Sequence, residues 1–402
     1  MIRLIGLAIV VSSLCLSVTG ALGADWPQWR GPNVDGIAPD TGINKDWKAR
    51  PPQKLWQVPL TDDSYSGPSV ADGKVFVLDH QGDQDIVRAL DFATGDEVWR
   101  FTYQDLAKPN HGTTRSTPVF CEGKLYTVSH LGKVHCLDAA TGEKIWLRDM
   151  RAEFGGQKPT WGYAMSVLID GAKAIICPGG NNASVVAVNK DTGETIWAGG
   201  GSDIPGYATP VKATIQGQDQ YVVFAGKSLI GVQVDTGQRL WRFPWETKYD
   251  VNAASPIVVG THIFITSGYG HGCAVVAIEP QGVELKWQNK EVQAHFNSPV
   301  YYNGVMFCNS DPGYLVCLNA GKGGTVWRQQ GFQKGGLVVV DGVIIALDGK
   351  GGDVIMVNAT PDGYQELGRI RPLGGQSWTP PIIADGKLIV RNKSAIACLD
   401  LM

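Results

Sequence analysis

One segment recurs along the chain. Residues 88–99 read R-A-L-D-F-A-T-G-D-E-V-W, residues 135–146 read H-C-L-D-A-A-T-G-E-K-I-W, and residues 186–197 read V-A-V-N-K-D-T-G-E-T-I-W. The tryptophans that close such segments are Trp99, Trp146, Trp197, Trp241, Trp287 and Trp327, spaced by 47, 51, 44, 46 and 40 residues. A regular period of this length means one small unit stacked many times, not several unlike domains.

Within a unit the pattern is all strand. In the second unit Pro118-Val119-Phe120 leads to a Glu122-Gly123 turn, then Lys124 to Val128, a Gly132 turn, Val134 to Leu137, the Thr141-Gly142 loop, and Lys144-Ile145-Trp146. Short β-branched and aromatic runs between Gly and Asp/Asn turns are strands joined by hairpins. No long segment carries a 3.6-residue apolar period. Most units open on a small residue before proline, as in Ser66-Gly67-Pro68, Ser116-Thr117-Pro118, Ala254-Ser255-Pro256 and Thr379-Pro380-Pro381. Four antiparallel strands repeated about every 45 residues make the blade of a β-propeller.

Six blades close at the tryptophans. A seventh runs from Lys334 to about Ile370, with Leu367 where Trp is expected. An eighth starts at Trp378 and reaches Cys398-Leu399-Asp400 without a fourth strand, while Lys54-Leu55-Trp56-Gln57-Val58 is a fourth strand without the first three. The expected fold is therefore an all-β, eight-bladed propeller of four-stranded antiparallel blades. Its ring closes by pairing the N-terminal strand into the last blade, which removes an open sheet edge. The expected organisation is a signal peptide over 1–23, an extended segment over 24–53 and one propeller domain over 54–402. The signal peptide rests on Arg3, the apolar run Leu4 to Val18, and the small residues of Ala21-Leu22-Gly23 at a cleavage site. No later run is apolar enough to cross a membrane. The mature protein is expected to be periplasmic or otherwise extracytoplasmic, and monomeric.

Seven cysteines follow the signal peptide, with no C-x-x-C and no zinc spacing. Cys136, Cys317 and Cys398 stand where Ala89, Ala187 and Ala277 stand in other copies, so they read as small buried residues. Cys308 and Cys317 flank Asp311-Pro312-Gly313, where a cross-hairpin disulfide is one reading and two free thiols the other. A net charge of −3 offers no basic footprint for nucleic acid.

The spacing A-x-D-x-x-T-G-E/D-x-x-W, carried fully by Ala89, Asp91, Thr94, Gly95 and Trp99 and by the corresponding run from Ala187 to Trp197, resembles the tryptophan-docking repeat of the PQQ (pyrroloquinoline quinone) propellers. The likeness covers about Trp56 to Met402. Asp25-Trp26-Pro27-Gln28-Trp29-Arg30-Gly31-Pro32 is similar to the leader of exported proteins of that family. The resemblance implies one of two functions. One branch comprises quinone-dependent alcohol or sugar dehydrogenases, for which PQQ is the implied cofactor, with a cation set and often two adjacent cysteines. This chain has no Cys-Cys pair, and the cation set maps onto no position. The other branch is non-catalytic, typified by the propeller lipoprotein of the outer-membrane β-barrel assembly machine, which binds partner proteins. An exported scaffold that binds an envelope protein or a small ligand is the expected function. A quinone-dependent oxidoreductase is the alternative, and a carbohydrate binder or enzyme a third reading.

In a propeller the first strands line the channel, and the loops between blades share a face with the loops between second and third strands. Residues at those positions are Tyr65, Arg115, Trp161, Tyr163, Tyr207, Asn252, Asn297, Lys334 and Trp378, the expected channel-mouth set. Aromatic faces with a few cations suit a planar or anionic ligand. His80, His111, His130, His271 and His295 fall in the same loops, and Asp105, Asp203, Glu246, Asp250 and Asp311 are scattered among them, without ligand spacing or an acid–base pair. No catalytic residue and no metal ligand is expected.

Overall fold

The computed structural model describes residues 25–402 except positions 62, 63, 108 and 110; the expected signal peptide, 1–23, lies outside the described residues. Eight sheets are arranged as blades, seven of four strands and one of five. Blade one comprises Ser69–Ala71, Lys74–Gln81, Gln84–Asp91 and Glu97–Gln104, and blade two comprises Val119–Cys121, Lys124–Val128, Lys133–Asp138 and Lys144–Asp149. The pattern continues to blade eight, where Ile382–Ala384, Lys387–Arg391 and Ala395–Asp400 are joined by Gln53–Pro59. That last pairing is antiparallel, with Trp56 opposite Cys398 and Pro59 opposite Ala395. The ring is closed by the N-terminal strand, as the orphaned sequence fragments require.

The recurring segment explains how blades hold each other. Asp91 Oδ1 accepts from the Ala93 and Thr94 amides and so folds the Asp-x-x-Thr-Gly loop, and Asp138 repeats this with Ala140 and Thr141. These backbone donors hold both carboxyls below their usual range, the Thr94 and Thr141 amides contributing most. The loop then lies on the tryptophan of the preceding blade. A Cβ added at Gly95 would stand 2.8 Å from the Trp56 ring, and one at Gly142 would stand 2.6 Å from Trp99. Both glycines also sit at positive φ, 81° and 77°, so only glycine allows the approach. The indole N–H donates across the same boundary, from Trp56 to Phe92 O at 3.0 Å and from Trp99 to Ala139 O at 3.1 Å. Trp146 and Trp197 do the same to Lys190 O and Val234 O. Each such indole removes roughly 150–250 Å² from water, roughly 4–6 kcal/mol as an upper estimate.

Not every boundary follows the rule. Trp241 donates to Gln220 of its own blade, because blade five turns tightly from Glu279 to Gly282 and offers no Thr-Gly loop. Blade seven carries Leu367 in place of Trp, and Trp47 of the N-terminal segment, packed against Gly368 and buried in the same cluster, supplies an indole there.

The cysteine readings separate. All seven described cysteines are free. In blade six Phe307 faces Cys317 and Cys308 faces Val316, so the register puts the two thiols on opposite faces of the sheet. Cys308 packs toward blade five and Cys317 toward blade seven. A one-residue offset reverses the face in a strand, which excludes the cross-hairpin disulfide.

Two outcomes follow for stability. A chain lacking residues 24–60 leaves the Ala395–Asp400 edge unpaired and removes Trp56 from the blade-one loop; it is expected to aggregate or melt well below the parent by calorimetry, and an unchanged melting temperature contradicts this closure. Burial lowers His135 to about 3 and His130 to about 4, with Lys133 and Arg115 respectively adding to the effect. Both imidazoles are then neutral in the folded state at a pH where the unfolded chain binds protons. Stability should be full above about pH 6.5 and fall as pH drops toward the folded values, by about 2 kcal/mol per histidine between about pH 6.5 and 5. Urea unfolding across that range should show the slope, and His135→Phe should reduce it.

Candidate functional site

The first strand of each blade faces the central channel, and the connections entering those strands gather at one mouth. There they enclose a cavity of about 370 Å³. Around it runs an unbroken circuit of aromatic rings. His111 lies 5.7 Å from Trp161, Trp161 lies 6.3 Å from Tyr249, and Tyr249 lies 5.6 Å from Tyr269, centroid to centroid. Tyr269 is 4.4 Å from His295, His295 is 5.0 Å from Phe296, and Phe296 is 5.3 Å from Trp378. Trp378, 6.3 Å from His111, closes the circuit and stacks on Tyr65 at 4.6 Å. Most contacts are tilted or edge-on, the arrangement that ring quadrupoles favour.

Arg115 and Lys334 line the cavity, and no Asp or Glu does so among the described residues. The Lys334 ammonium lies 5.3 Å over Trp378 and 6.0 Å over Phe296, and Arg115 donates to the His111 and Gly112 carbonyls. Asp311, the nearby carboxylate, is taken up by His295 Nδ1 at 3.0 Å. Deeper in the cavity the hydroxyls of residues entering the first strands tie neighbouring blades. Ser166 Oγ accepts from the Thr117 amide and Thr209 Oγ1 from the Ser166 amide. The Thr117 hydroxyl at the cavity wall has no protein partner. Strain gathers here too: Tyr249, Tyr269 and Lys334 hold φ of 60°, 54° and 45°. Bulky residues in the left-handed region are uncommon and concentrate at functional sites.

Seven of the nine expected mouth residues line this cavity: Tyr65, Arg115, Trp161, Tyr207, Asn297, Lys334 and Trp378. Two do not. Tyr163 is buried between blades two and three, its hydroxyl donating to Pro178 O. Asn252 is fully buried, its amide donating to Ala225 O, Gly226 O and Trp245 O, so it pins blade four to blade five. Asn297 has a mixed role, since its amide also fixes the Lys334 carbonyl at 2.6 Å. Among the loop histidines, His111 and His295 reach the cavity; His271 packs edge-on against Trp245, His80 pairs with Asp85, and His130 is buried under Gly162. Asp203 is engaged by Arg239 and Arg242. Sequence reasoning missed Tyr249, Tyr269, Phe296 and Trp29. The glycines around Tyr269 were the available signal for a displayed ring.

Trp29 is the floor. The segment from Trp26 crosses the channel at the end opposite the mouth. Trp26 pairs with Val70 of blade one, and Pro27 O accepts from Phe120 of blade two. Trp29 Nε1 donates to Ser255 Oγ of blade five. The buried Arg30 guanidinium donates to Pro299 O of blade six and to Val34 O and Asp35 O of its own turn. Ile37–Ala38 then adds a parallel strand to Lys334–Val340 of blade seven. Below Trp29 a void of about 30 Å³ remains, room for a water or two at most. The channel is a blind well.

The family described as outer membrane protein assembly factor BamB matches residues 46–120 and 82–329. The chain belongs to this family. It is 25% identical over 303 residues to BamB of Moranella endobia (strain PCIT), covering 69% of this chain and 72% of that protein. It is 23% identical over 353 residues to BamB of Yersinia pestis, covering 73% and 86%. Two solved structures share the fold. BamB from Moraxella catarrhalis has a TM-score of 0.64 at 16% identity, covering 87% of this chain and 99% of that one. Quinohemoprotein alcohol dehydrogenase from Comamonas testosteroni has a TM-score of 0.68 at 13% identity, covering 93% and 80%.

The quinone that the wider fold implies does not fit this BamB-family well. Among the described residues no group of three or more His, Cys, Asp or Glu side chains could hold a cation, and the cavity wall carries no carboxylate. Tyr65 stacks on the Trp378 ring at 4.6 Å and the Lys334 ammonium stands 5.3 Å from its centroid, so neighbours already occupy the surface on which a planar cofactor would stack.

The floor depends on Arg30. Burial lowers its guanidinium to about 10, so it stays charged at neutral pH and needs its three carbonyls. Arg30→Ala should lower the unfolding free energy by about 2–4 kcal/mol in urea titrations. Arg30→Lys should recover less than half, because an ammonium cannot span acceptors set for a planar fork.

Proposed function

We propose that this protein is an exported propeller of the cell envelope that works as a binding scaffold, gripping a partner protein at the aromatic mouth. The observation that carries the reading is the closed circuit of rings above a well lined by Arg115 and Lys334. Aromatic and Arg side chains held rigidly around a concave site are the usual energetic anchors of protein contacts. The relatives are named as outer membrane protein assembly factors, which points to an envelope protein as partner. Export is supported by the apolar run and cleavage-site residues within 1–23. No helix among the described residues is long and apolar enough to cross a membrane. The protein acts as a monomer in this reading, since the ring leaves its blades mutually covered.

The dehydrogenase alternative requires a quinone, a cation at its carbonyls and a base near the substrate hydroxyl. The well offers His295 held by Asp311 as a base, and neither of the other two requirements. Arg115→Ala and Trp378→Ala, each checked to be folded by circular dichroism, should weaken capture of a partner identified from envelope extract by roughly 10- to 30-fold. A dye-linked dehydrogenase assay with PQQ and calcium over alcohols and aldoses should stay silent. Saturable dye reduction lost in Trp378→Ala would overturn the scaffold reading.

A further inference from the structure

Two kinds of group share the wall of the well. Trp161, Trp378 and Phe296 present rings, and Trp29 lays another across the floor. With them stand Ser166, Tyr207, Thr209 and Asn297, all buried and all able to hydrogen-bond. A wholly apolar occupant would strand these four, and a buried polar group without a partner is costly. A small hydrated ion would leave the rings without a contact.

The polar groups are only half engaged by the protein itself. A hydroxyl has one proton to donate and two lone pairs to accept with. Ser166 Oγ accepts from the Thr117 amide and Thr209 Oγ1 from the Ser166 amide, each at 2.9 Å, so backbone donors fix both oxygens. Neither hydroxyl donates its own proton to a described residue. Asn297 donates to the Lys334 carbonyl, and its Oδ1 accepts from no described residue. Tyr207 Oη accepts from the Trp161 amide at 3.2 Å and so is held at the wall. The indole N–H groups of Trp161 and Trp378 have no acceptor among the described residues, unlike those of Trp56 and Trp99 at the blade boundaries. Rings therefore stand beside donors and acceptors that are already positioned before a ligand arrives.

One chemistry matches both kinds of group at once. A pyranose has faces of C–H groups, which lie well against aromatic rings, and an edge of hydroxyls, each both donor and acceptor. The cavity, about 370 Å³, is at the small end of ligand sites and admits one sugar ring or two. Trp29 shuts its far end over a void of about 30 Å³, so a polysaccharide cannot thread through and only an end residue can enter. At the rim Tyr249 and Tyr269, 46% and 43% exposed, stand where the next sugar of a chain would pass.

We infer that the well is a sugar-binding site. It takes a pyranose ring with its C–H face against the tryptophans and its hydroxyls bonded to Ser166, Tyr207, Thr209 and Asn297. The site goes beyond the scaffold reading, which concerns a protein partner gripped at the mouth, and does not depend on it.

The test uses the full chain and four monosaccharides (glucose, galactose, mannose and N-acetylglucosamine) with the disaccharides cellobiose, maltose, lactose and chitobiose. Binding is read by tryptophan fluorescence and by saturation-transfer NMR. Saturable binding of at least one sugar is expected, with transfer strongest to the C–H protons of one ring face. Trp161→Ala should weaken it by about tenfold and Trp161→Phe should restore part of the loss, while both variants melt like the parent. Cyclohexanol, which keeps the ring and all but loses the hydroxyls, should bind at least tenfold more weakly, roughly the discrimination of a site built for hydroxyls. A disaccharide binding more tightly than its monosaccharide, with the gain lost in Tyr249→Ala, identifies the end of a glycan as the source; equal affinities identify the free sugar. No saturable signal from any of the eight up to about 50 mM, or cyclohexanol binding as tightly as the sugars, would overturn the inference. If no sugar binds while partner capture still depends on Arg115 and Trp378, the inference falls and the scaffold reading stands. If a sugar binds and capture ignores both residues, the scaffold reading falls and the sugar site stands.

Discussion

An indole laid flat against the glycine of the next blade's loop is the contact on which the ring depends. It needs two partners at once. The loop must be folded by its own Asp or Asn, as Asp91 and Asn189 do through backbone amides, and the glycine must lack a Cβ at positive φ. The tryptophan must then find a carbonyl for its N–H across the boundary. Because a blade alone cannot bury its faces, each is stable only against its neighbours, and closure turns a row of marginal sheets into one body. Trp56 performs at the seam the same contact that Trp99 performs inside the ring. Arg391, buried at the seam, adds donors from blade eight to Ser66 O and Leu78 O of blade one.

That rigidity is what permits the mouth. Eight connections arrive at one rim from positions set by the blades, so strained residues can be held there without the scaffold giving way. Tyr249, Tyr269 and Lys334 all stand in the left-handed region, and each presents a ring or a cation to the cavity or its rim. The same packing removes other loop residues from use. Asn252 follows the left-handed pair Tyr249 and Asp250, which turns its amide back into blade four instead of outward.

The N-terminal segment does two jobs that a repeat cannot do for itself. It replaces a lost indole at blade seven with Trp47, and it floors the channel with Trp29. A ring of equivalent blades leaves an axial hole, because rotation about the axis places no side chain upon it. Closing that hole requires a segment outside the repeat, held by unlike contacts to unlike blades, and Arg30 is its anchor.

The sequence by itself determined the blade count, the closing strand, the loops and the indoles that lock them, since each is a local pattern repeated at fixed spacing. It also identified seven residues that gather at the cavity, because entry into the first strand is a position in that repeat. Only the tertiary structure decided which way each side chain turned there: Tyr163 and Asn252 occupy the same repeat positions yet point into blade interfaces. It also separated Cys308 from Cys317, a matter of one residue of register. The circuit from His111 through Tyr249 and Phe296 to Trp378, and the floor at Trp29, were beyond reach for one reason. Their members lie far apart in the chain or outside the repeat, so their adjacency is created by ring closure and has no local spacing to betray it.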